Sequence, residues 1–194
     1  MVRMLLAGAP EERSVVNLRI IAGKLGGRTI AAPSGRRTHP MGERVRGSLF
    51  NIVGDLTDAV VLDAFAGSGA LGFEALSRGA KSVLFIEKDK LAQNIITQNI
   101  ANLRVGETAK LVRSTVTAWD ETSDDKQFDF ILADPPYHDM QLSTVSRLAK
   151  YLKPNGLMVL SYPGRESAPT VNGVVVVDNR SYGDAALAFY RLSA

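Results

Sequence analysis

A glycine-rich segment and two acidic residues mark the part of the chain where a small ligand would bind. Residues 66–72 read AGSGALG and match G-x-G-x-x-G between a predicted strand and a predicted helix. Asp63 lies near the end of the apolar run before this segment, and Glu87 follows the next apolar run. The glycine pattern alone favours a dinucleotide. A carboxylate at position 63 would, however, repel a pyrophosphate held at the helix N-terminus.

A ligand with an ammonium group, a ribose and no phosphate satisfies both acidic residues. Asp63 would attract the ammonium group, and Glu87 would accept hydrogen bonds from both ribose hydroxyls. S-adenosylmethionine is such a ligand, and its sulfonium adds a second positive charge. The glycines would let its carboxylate and its sulfur-bearing chain approach the backbone closely. The competing interpretation is that Asp63 caps a loop and Glu87 is a surface acid.

The tetrad Asp134-Pro135-Pro136-Tyr137 follows another apolar run and predicts how a second substrate is held. Proline fixes φ and has no N–H, so the two proline carbonyls have little conformational freedom. An aspartate oxygen and a proline carbonyl therefore form a rigid pair of acceptors, which matches the two N–H donors of an exocyclic amine on a base. Tyr137 can stack on the face of that base.

Such a pair of acceptors indicates methyl transfer to an amine. The amine of guanine, adenine or cytosine is a poor nucleophile, because its lone pair is delocalised into the ring. Holding both hydrogens aims the lone pair at the methyl carbon, and most of the rate would come from this in-line placement. Asp134 can stay ionised and stabilise the positive charge that develops on the amine. The competing interpretation of the tetrad is a rigid turn with a buried tyrosine.

Basic residues are concentrated in the first 50 positions, which contain nine Lys or Arg and three acidic residues. The remainder contains 14 basic and 17 acidic residues, within a net charge of +3. This asymmetry favours a basic arm that faces a polyanion, although a solvated basic surface gives the same pattern. The basic residues available to contact phosphates of such a polyanion are Arg19, Lys24, Arg28, Arg36, Arg37, Arg44 and Arg46.

Composition excludes several other classes of protein. The 194 residues are 45% hydrophobic, as in one compact domain with a sizeable core rather than a disordered chain. The chain has no cysteine, which excludes a disulfide scaffold and a cysteine-based zinc site, and its two histidines make a histidine-rich metal site unexpected. No run of 18 apolar residues occurs, and residues 1–9 are interpreted as a loose start rather than a secretion signal. We therefore expect a cytoplasmic protein.

The elements that must position these residues alternate between strands and helices from residue 59 onward, which is typical of a doubly wound sheet. An N-terminal hairpin is predicted from residues 18–22 and 28–32, followed by a helix over Glu43–Val53. The predicted strands are 60–65, 82–86, 109–113, 128–133, 157–161, 173–178 and 186–192. The predicted helices are 70–78, 91–103 and 142–152, the last ended by Pro154 and Gly156. No long helix separates the last two strands, so we expect them to pair antiparallel.

These motifs resemble those of the class I S-adenosylmethionine-dependent methyltransferases that methylate amino groups. Among them the chain is most similar to the RsmD-type 16S rRNA guanine-N2 methyltransferases of bacteria, from residue 18 to residue 192. The segments that carry the resemblance are RIIAG at 19–23 with Gly27 and Arg28, ERVR at 43–46, LFN at 49–51, LDAFAGSGALG at 62–72 and DPPY at 134–137. The glycine block and the tetrad mark the superfamily. The hairpin and the Arg-Val-Arg helix point to the RNA subgroup.

The resemblance implies an α/β, Rossmann-like class I methyltransferase fold. Its sheet would have seven mostly parallel strands with an antiparallel last strand, plus a small N-terminal β-hairpin. The chain would divide into a hairpin and basic arm over residues 1–40 and a methyltransferase domain over residues 41–194.

The resemblance also implies a role for particular residues. Asp134, Pro135, Pro136 and Tyr137 would hold the target guanine. Thr115 stands where many relatives carry an Asp or Asn that faces the adenine amine. The family usually has Arg-Pro-Thr before its Arg-Val-Arg helix, whereas this chain has THPMG at 38–42. The residues implied to contact the cofactor S-adenosylmethionine are Asp63, Phe65, Gly67, Gly69, Glu87, Lys88, Thr115 and Asp134.

The leading hypothesis is a monomeric enzyme that methylates a guanine N2 of 16S rRNA within an assembling small ribosomal subunit. A DNA adenine or cytosine amino-methyltransferase is the first alternative, because the tetrad suits any exocyclic amine. The chain has little room for a separate DNA-recognition domain. A non-catalytic RNA-binding protein would show no cofactor affinity. A nicotinamide oxidoreductase would bind NAD and would leave the double-proline tetrad unexplained.

Overall fold

The computed structural model describes residues 15–34, 41–123 and 126–193. The strands are β1 (Val15–Arg19), β2 (Thr29–Pro33), β3 (Val60–Asp63), β4 (Ser82–Glu87), β5 (Ala109–Arg113), β6 (Phe128–Ala133), β7 (Leu152–Pro163), β8 (Val174–Ser181) and β9 (Ala185–Leu192). The helices are α1 (Glu43–Val53), α2 (Ala70–Ser77), α3 (Lys90–Leu103), α4 (Val116–Thr122) and α5 (Leu142–Leu148), and a 3-10 turn spans Ala149–Tyr151.

Seven strands form one sheet in the order β5-β4-β3-β6-β7-β9-β8. Strands β3 to β7 are parallel, β9 runs antiparallel to β7, and β8 runs antiparallel to β9. This confirms the predicted sheet and the antiparallel pairing of the last two strands. Strands β3 to β5 extend the sheet in one direction, and β6 and β7 extend it in the other. Ligands of open α/β sheets bind at the carboxyl ends of the strands at such a reversal, which here lies between β3 and β6.

Several predicted bounds differ from the structure, most of all where the helix predicted over 142–152 meets β7. The helix predicted over 142–152 ends at Leu148, and β7 begins at Leu152, so Pro154 and Gly156 lie inside a strand. Pro154 is exposed there, in the part of β7 where the pairing register with β6 shifts, so its missing N–H is tolerated. The short helix α4 was not predicted, and β1 begins three residues before the predicted start of the hairpin.

The N-terminal hairpin β1–β2 is confirmed, and buried polar side chains hold it against α2 and α3. The Glu74 carboxylate accepts the backbone N–H groups of Ile21 at 2.7 Å and Ala22 at 3.1 Å. The Asn99 amide accepts the N–H of Ala31 and donates to its carbonyl, both at 2.9 Å. Asn99 thus completes the open edge of β2 as another strand would.

Across the described ranges, no helix is both long enough and apolar enough to cross a membrane.

Candidate cofactor and base-binding site

The reversal point of the sheet brings the two sequence motifs together. Asp63, the last residue of β3, pairs in register with Leu132 on β6. The Ala64 N–H then donates to the Leu132 carbonyl at 2.9 Å. Asp134 follows two residues after Leu132, so the carboxylates of Asp63 and Asp134 lie at the same edge of adjacent strands. The glycine-loop motif and the tetrad therefore lie at one edge of the sheet.

Asp63 is a buried carboxylate with one oxygen that lacks a partner. The side chain has no exposed surface, and its Oδ2 accepts the N–H of Gly72 at 3.0 Å. Its Oδ1 is buried and has no hydrogen-bond partner among the residues that the structure describes. The pKa of Asp63 is raised to about 7, mainly by burial and to a smaller extent by the nearby carboxylates of Asp134 and Glu87, and the Gly72 hydrogen bond opposes the shift. A cationic ligand at Oδ1 would satisfy this oxygen and favour its ionised form.

The three glycines of the loop lie at positions that favour glycine for different structural reasons. Gly67 has φ of +53°, and a Cβ added there would meet open space. A Cβ on Gly69 would lie 2.6 Å from the Phe73 ring, and one on Gly72 would lie 2.2 Å from the Phe85 ring. Gly72 therefore allows α2 to pack against β4, and Gly69 leaves room for the Phe73 ring of α2 itself. Gly67 leaves its backbone open to a ligand.

Glu87 ends β4, and two backbone groups orient its carboxylate. Its Oε2 accepts the N–H of Gly67 at 2.7 Å, and its Oε1 accepts the N–H of Asp89 at 2.7 Å. Burial raises the pKa of Glu87, and these backbone hydrogen bonds oppose the shift. Each oxygen keeps a further lone pair, so the carboxylate can still accept a pair of ribose hydroxyls.

The tetrad leaves β6 at the same edge. Burial raises the pKa of Asp134 to about 6, and a hydrogen bond from Ser161 opposes the shift. The Pro136 carbonyl accepts the N–H of Asp139 at 2.8 Å, whereas within the described ranges the Pro135 carbonyl accepts no backbone hydrogen bond. The Tyr137 ring is 39% exposed, so one face is available for stacking.

Ser161 is a site residue that sequence reasoning missed. It lies on β7, is 2% exposed, and its Oγ lies 2.8 Å from the Tyr137 hydroxyl. The available signal was its position as a polar residue at the end of an apolar run, the same pattern that marked Asp63.

Three more predicted cofactor contacts lie at the carboxyl ends of β3, β4 and β5. Phe65 is half-buried just after β3, and Lys88 is exposed just after β4. Thr115 caps α4, since its Oγ1 accepts the N–H of Ala118 at 3.1 Å. The cap uses one lone pair of this hydroxyl. The predicted contact of Thr115 with the adenine amine therefore depends on the other lone pair and stays a prediction.

The residues present fit S-adenosylmethionine. The orphaned Oδ1 of Asp63 suits its cationic end, the open side of Gly67 gives its chain access to the backbone, and the oriented carboxylate of Glu87 suits its ribose. Among the residues that the structure describes, no group of three His, Asp or Glu side chains could hold a metal ion. A cavity of about 180 Å³ lies at the opposite edge of the sheet and contains none of the predicted site residues.

Four of the predicted phosphate contacts are exposed. Arg19 forms an ion pair with Glu43 at 3.0 Å. The Arg28 guanidinium donates to the last carbonyls of α3. Lys24 and Arg44 are exposed and form no ion pair within the described ranges. Arg36 and Arg37 lie outside the described residues.

The prediction that Arg46 contacts phosphate is wrong for the folded chain. Arg46 is 1% exposed, and its guanidinium donates to the carbonyls of Met41 at 3.2 Å and Arg19 at 2.6 Å. It shares the buried face of α1 with Leu49 and Phe50. Burial lowers the pKa of Arg46, and the nearby charge of Glu74 opposes the shift. Arg46 therefore ties α1 to the hairpin and is not a surface cation.

The chain is similar to a described protein family and to named methyltransferases. The family model described as Conserved hypothetical protein 95 matches residues 18–191. The chain is 32% identical over 180 residues to the ribosomal RNA small subunit methyltransferase D of Haemophilus influenzae, covering 90% of this chain and 93% of that protein.

Two solved structures extend the comparison. A protein of Escherichia coli named as a candidate methyltransferase superposes with a TM-score of 0.80 and 30% identity, covering 92% of this chain and 99% of that one. A candidate methyltransferase solved with S-adenosylhomocysteine has a TM-score of 0.71 and covers 96% of this chain and 58% of that one. At 14% identity, the second structure shows the shared fold alone.

Proposed function

The chain belongs to the Conserved hypothetical protein 95 family, and from this premise we propose that it transfers a methyl group from S-adenosylmethionine to the exocyclic N2 of a guanine in 16S rRNA. Its relatives in Haemophilus influenzae and Escherichia coli are named as small-subunit rRNA methyltransferases, which supports rRNA as the substrate. The proposal is specific in two further respects. The methylated atom is the guanine N2, and the reaction takes place on an assembling small subunit in the cytoplasm. In this proposal the enzyme acts as a monomer.

One observation carries the proposal. The buried Asp63 carboxylate, whose Oδ1 lacks a partner, and the acceptor pair of Asp134 and Pro135 lie at one edge of two adjacent strands. When bound, S-adenosylmethionine supplies a methyl group on a positively charged sulfur. Asp63 binds the cationic end and Glu87 accepts the ribose hydroxyls.

The tetrad then orients the acceptor base. Asp134 and the Pro135 carbonyl accept the two hydrogens of the amine, and Tyr137 stacks on the ring. With a pKa of about 6, Asp134 is mostly ionised at neutral pH and stabilises the positive charge that develops on the amine. The target base must leave its stack, which costs a few kcal/mol that contacts elsewhere on the RNA must offset.

We assign those contacts to the N-terminal part of the chain. Residues 1–40 would form the hairpin and basic arm that bind RNA, and residues 41–194 would form the methyltransferase domain. Exposed cations such as Arg19, Lys24 and Arg44 would neutralise phosphates, which position an RNA without reading its sequence.

A labelled-methyl assay tests the proposal. The enzyme is incubated with radiolabelled S-adenosylmethionine and one of three substrates: small-subunit particles from cells lacking the protein, their purified 16S rRNA, or duplex DNA. Digestion to nucleosides and mass spectrometry then identify the methylated atom. We expect N2-methylguanosine from an rRNA substrate. Label in DNA alone would overturn the proposal, and label on another rRNA atom would overturn its guanine-N2 part.

A further inference from the structure

Ser161 joins the aspartate and the tyrosine of the tetrad from the neighbouring strand. It lies on β7, one residue beyond Leu160, which pairs in register with Ala133 on β6. This register brings Ser161 beside Asp134 at the carboxyl edge of the sheet. A buried hydroxyl at this point needs hydrogen-bond partners, and the tetrad provides them.

The hydrogen bonds of Ser161 have a defined direction. Ser161 acts on the Asp134 carboxylate as a hydrogen-bond donor that lowers its pKa, and the Ser161 Oγ lies 2.8 Å from the Tyr137 hydroxyl. An ionised carboxylate only accepts, and a serine hydroxyl has one hydrogen. Ser161 therefore donates to Asp134 and accepts from Tyr137. The three side chains form one chain of hydrogen bonds that runs from the phenol to the carboxylate.

We propose that Ser161 is a positioning residue for methyl transfer, because this chain of hydrogen bonds holds the Asp134 carboxylate and the Tyr137 ring in the orientation that receives the base. The inference rests on the proposed function. The Tyr137 ring is partly exposed and would otherwise rotate, whereas its anchored hydroxyl keeps the ring face in place. The bond from Ser161 also leaves the rest of the Asp134 carboxylate free for the amine, so the acceptor is ordered before the base arrives.

The charges around Asp134 set the expected pH dependence. The Asp63 carboxylate faces it from β3, the Tyr137 phenol lies on its own segment, and Ser161 faces it from β7. Of these groups, Ser161 lowers the pKa of Asp134, because its hydroxyl donates to the ionised form. Loss of that hydroxyl raises the pKa of Asp134, so the carboxylate is protonated at a higher pH.

The kinetic test compares Ser161→Ala with the wild-type enzyme on rRNA. We expect kcat to fall by about tenfold, while the dissociation constant for S-adenosylmethionine stays unchanged. The acidic limb of the pH–rate profile should move to higher pH, and Ser161→Thr, which restores a hydroxyl, should recover both properties. The matched control is Ser82→Ala at the start of β4, on the opposite edge of the sheet, which should behave as wild type.

A second readout needs no catalysis. In the ligand-free protein, carbon-13 NMR of labelled aspartate carboxyls follows the titration of Asp134, which Asp134→Asn identifies. We expect a higher pKa for Asp134 in Ser161→Ala than in wild type. If Ser161→Ala does not fold, Ser161→Cys gives the same test, because a thiol has a similar shape and is a weak donor.

The outcomes separate this inference from the proposed function. A folded Ser161→Ala enzyme with wild-type kcat, pH profile and Asp134 titration overturns the role of Ser161 alone. A wild-type enzyme that methylates no rRNA overturns the proposed function, and the carboxyl titration still decides whether Ser161 organises Asp134.

Discussion

At the scale of single residues, Asp63 combines a cost in stability with a proposed role in cofactor binding. A buried carboxylate with an unpartnered oxygen destabilises the ligand-free fold whenever it is ionised. The pKa of about 7 expresses this cost, because the folded chain binds the proton more tightly than the unfolded chain does. A cationic ligand reverses the balance, so the residue is best explained by what it binds.

We predict that Asp63→Asn stabilises the ligand-free protein by about 2 kcal/mol at pH 8 and weakens cofactor binding. The stabilisation should shrink as the pH falls from 7 toward 4, because Asp63 becomes protonated in the folded wild type while the unfolded chain stays ionised. Urea unfolding across this pH range measures the first effect, and calorimetric titration with S-adenosylhomocysteine measures the second. Equal cofactor affinity in the wild-type and Asp63→Asn proteins would show that Asp63 does not bind the cofactor.

Residue types alone predicted some roles at this scale and missed others. Asp63, Glu87 and the tetrad could be identified from the sequence, because acidic residues and prolines directly after apolar runs are unusual at strand ends. Arg46 was wrongly predicted to contact phosphate, because that prediction used its charge and not the helical spacing of its apolar neighbours. Its spacing to Leu49 and Phe50 places it on the buried face of α1. The link between Ser161 and Tyr137 crosses two strands, and no local pattern reports it.

At the scale of elements, the loop between β3 and α2 shows how one motif serves packing and binding together. Gly72 faces Phe85 on β4 and so sets the distance of α2 from the sheet, whereas Gly69 leaves room for the Phe73 ring of α2 itself. Gly67 faces open space and donates its N–H to Glu87. The pattern G-x-G-x-x-G therefore reflects close packing as much as ligand binding. For this reason the pattern alone does not identify the ligand.

The matched substitutions Gly67→Ala and Gly72→Ala should separate these roles. Gly72→Ala should lower the free energy of unfolding by about 2 kcal/mol or more, because the added methyl group overpacks against the buried Phe85 ring. Gly67→Ala should cost only about 1 kcal/mol for its positive φ, yet weaken cofactor binding about tenfold, because its methyl group occupies the open side of the loop. Thermal unfolding and calorimetry provide the two measurements. Greater destabilisation by Gly67→Ala would contradict the assignment.

Buried parallel strands were predicted well because both faces are covered, so they read as continuous apolar runs. The helix Glu43–Val53 and the strands β5 and β6 have the predicted bounds. The predicted end of α5 was wrong, because the apolar spacing continues through the 3-10 turn into β7. The helix α4 has seven residues, too few for a helical period to stand out.

At the scale of the whole molecule, buried polar contacts join the hairpin to the helices α2 and α3, which flank the candidate site. Glu74 holds its turn to α2, and Asn99 holds β2 to α3 while its amide also lies 3.4 Å from the Ser68 carbonyl in the glycine loop. The proposed RNA-binding element and the cofactor loop therefore share a framework. In this arrangement, RNA contacts far from the base can hold it at the site.

We predict that Arg44→Glu weakens binding to 16S rRNA about tenfold at moderate salt and lowers the salt slope by about one. Arg44 is exposed, so cofactor affinity and stability should be unchanged. The matched control is Lys110→Glu, which changes the net charge equally on the exposed strand β5. Filter binding over a range of salt concentrations measures both variants. A loss of the same size in Lys110→Glu would show that net charge, rather than a defined surface, attracts the RNA.

The most direct test of the account measures methyl transfer and cofactor affinity together in Asp134→Ala. The account predicts that transfer of radiolabelled methyl to rRNA falls by at least about 100-fold, because the amine loses its charged acceptor. Calorimetry should show a dissociation constant for S-adenosylhomocysteine close to that of wild type, since Asp63 and Glu87 remain. Wild-type transfer in a folded Asp134→Ala enzyme would contradict the claim that this edge of the sheet orients the base.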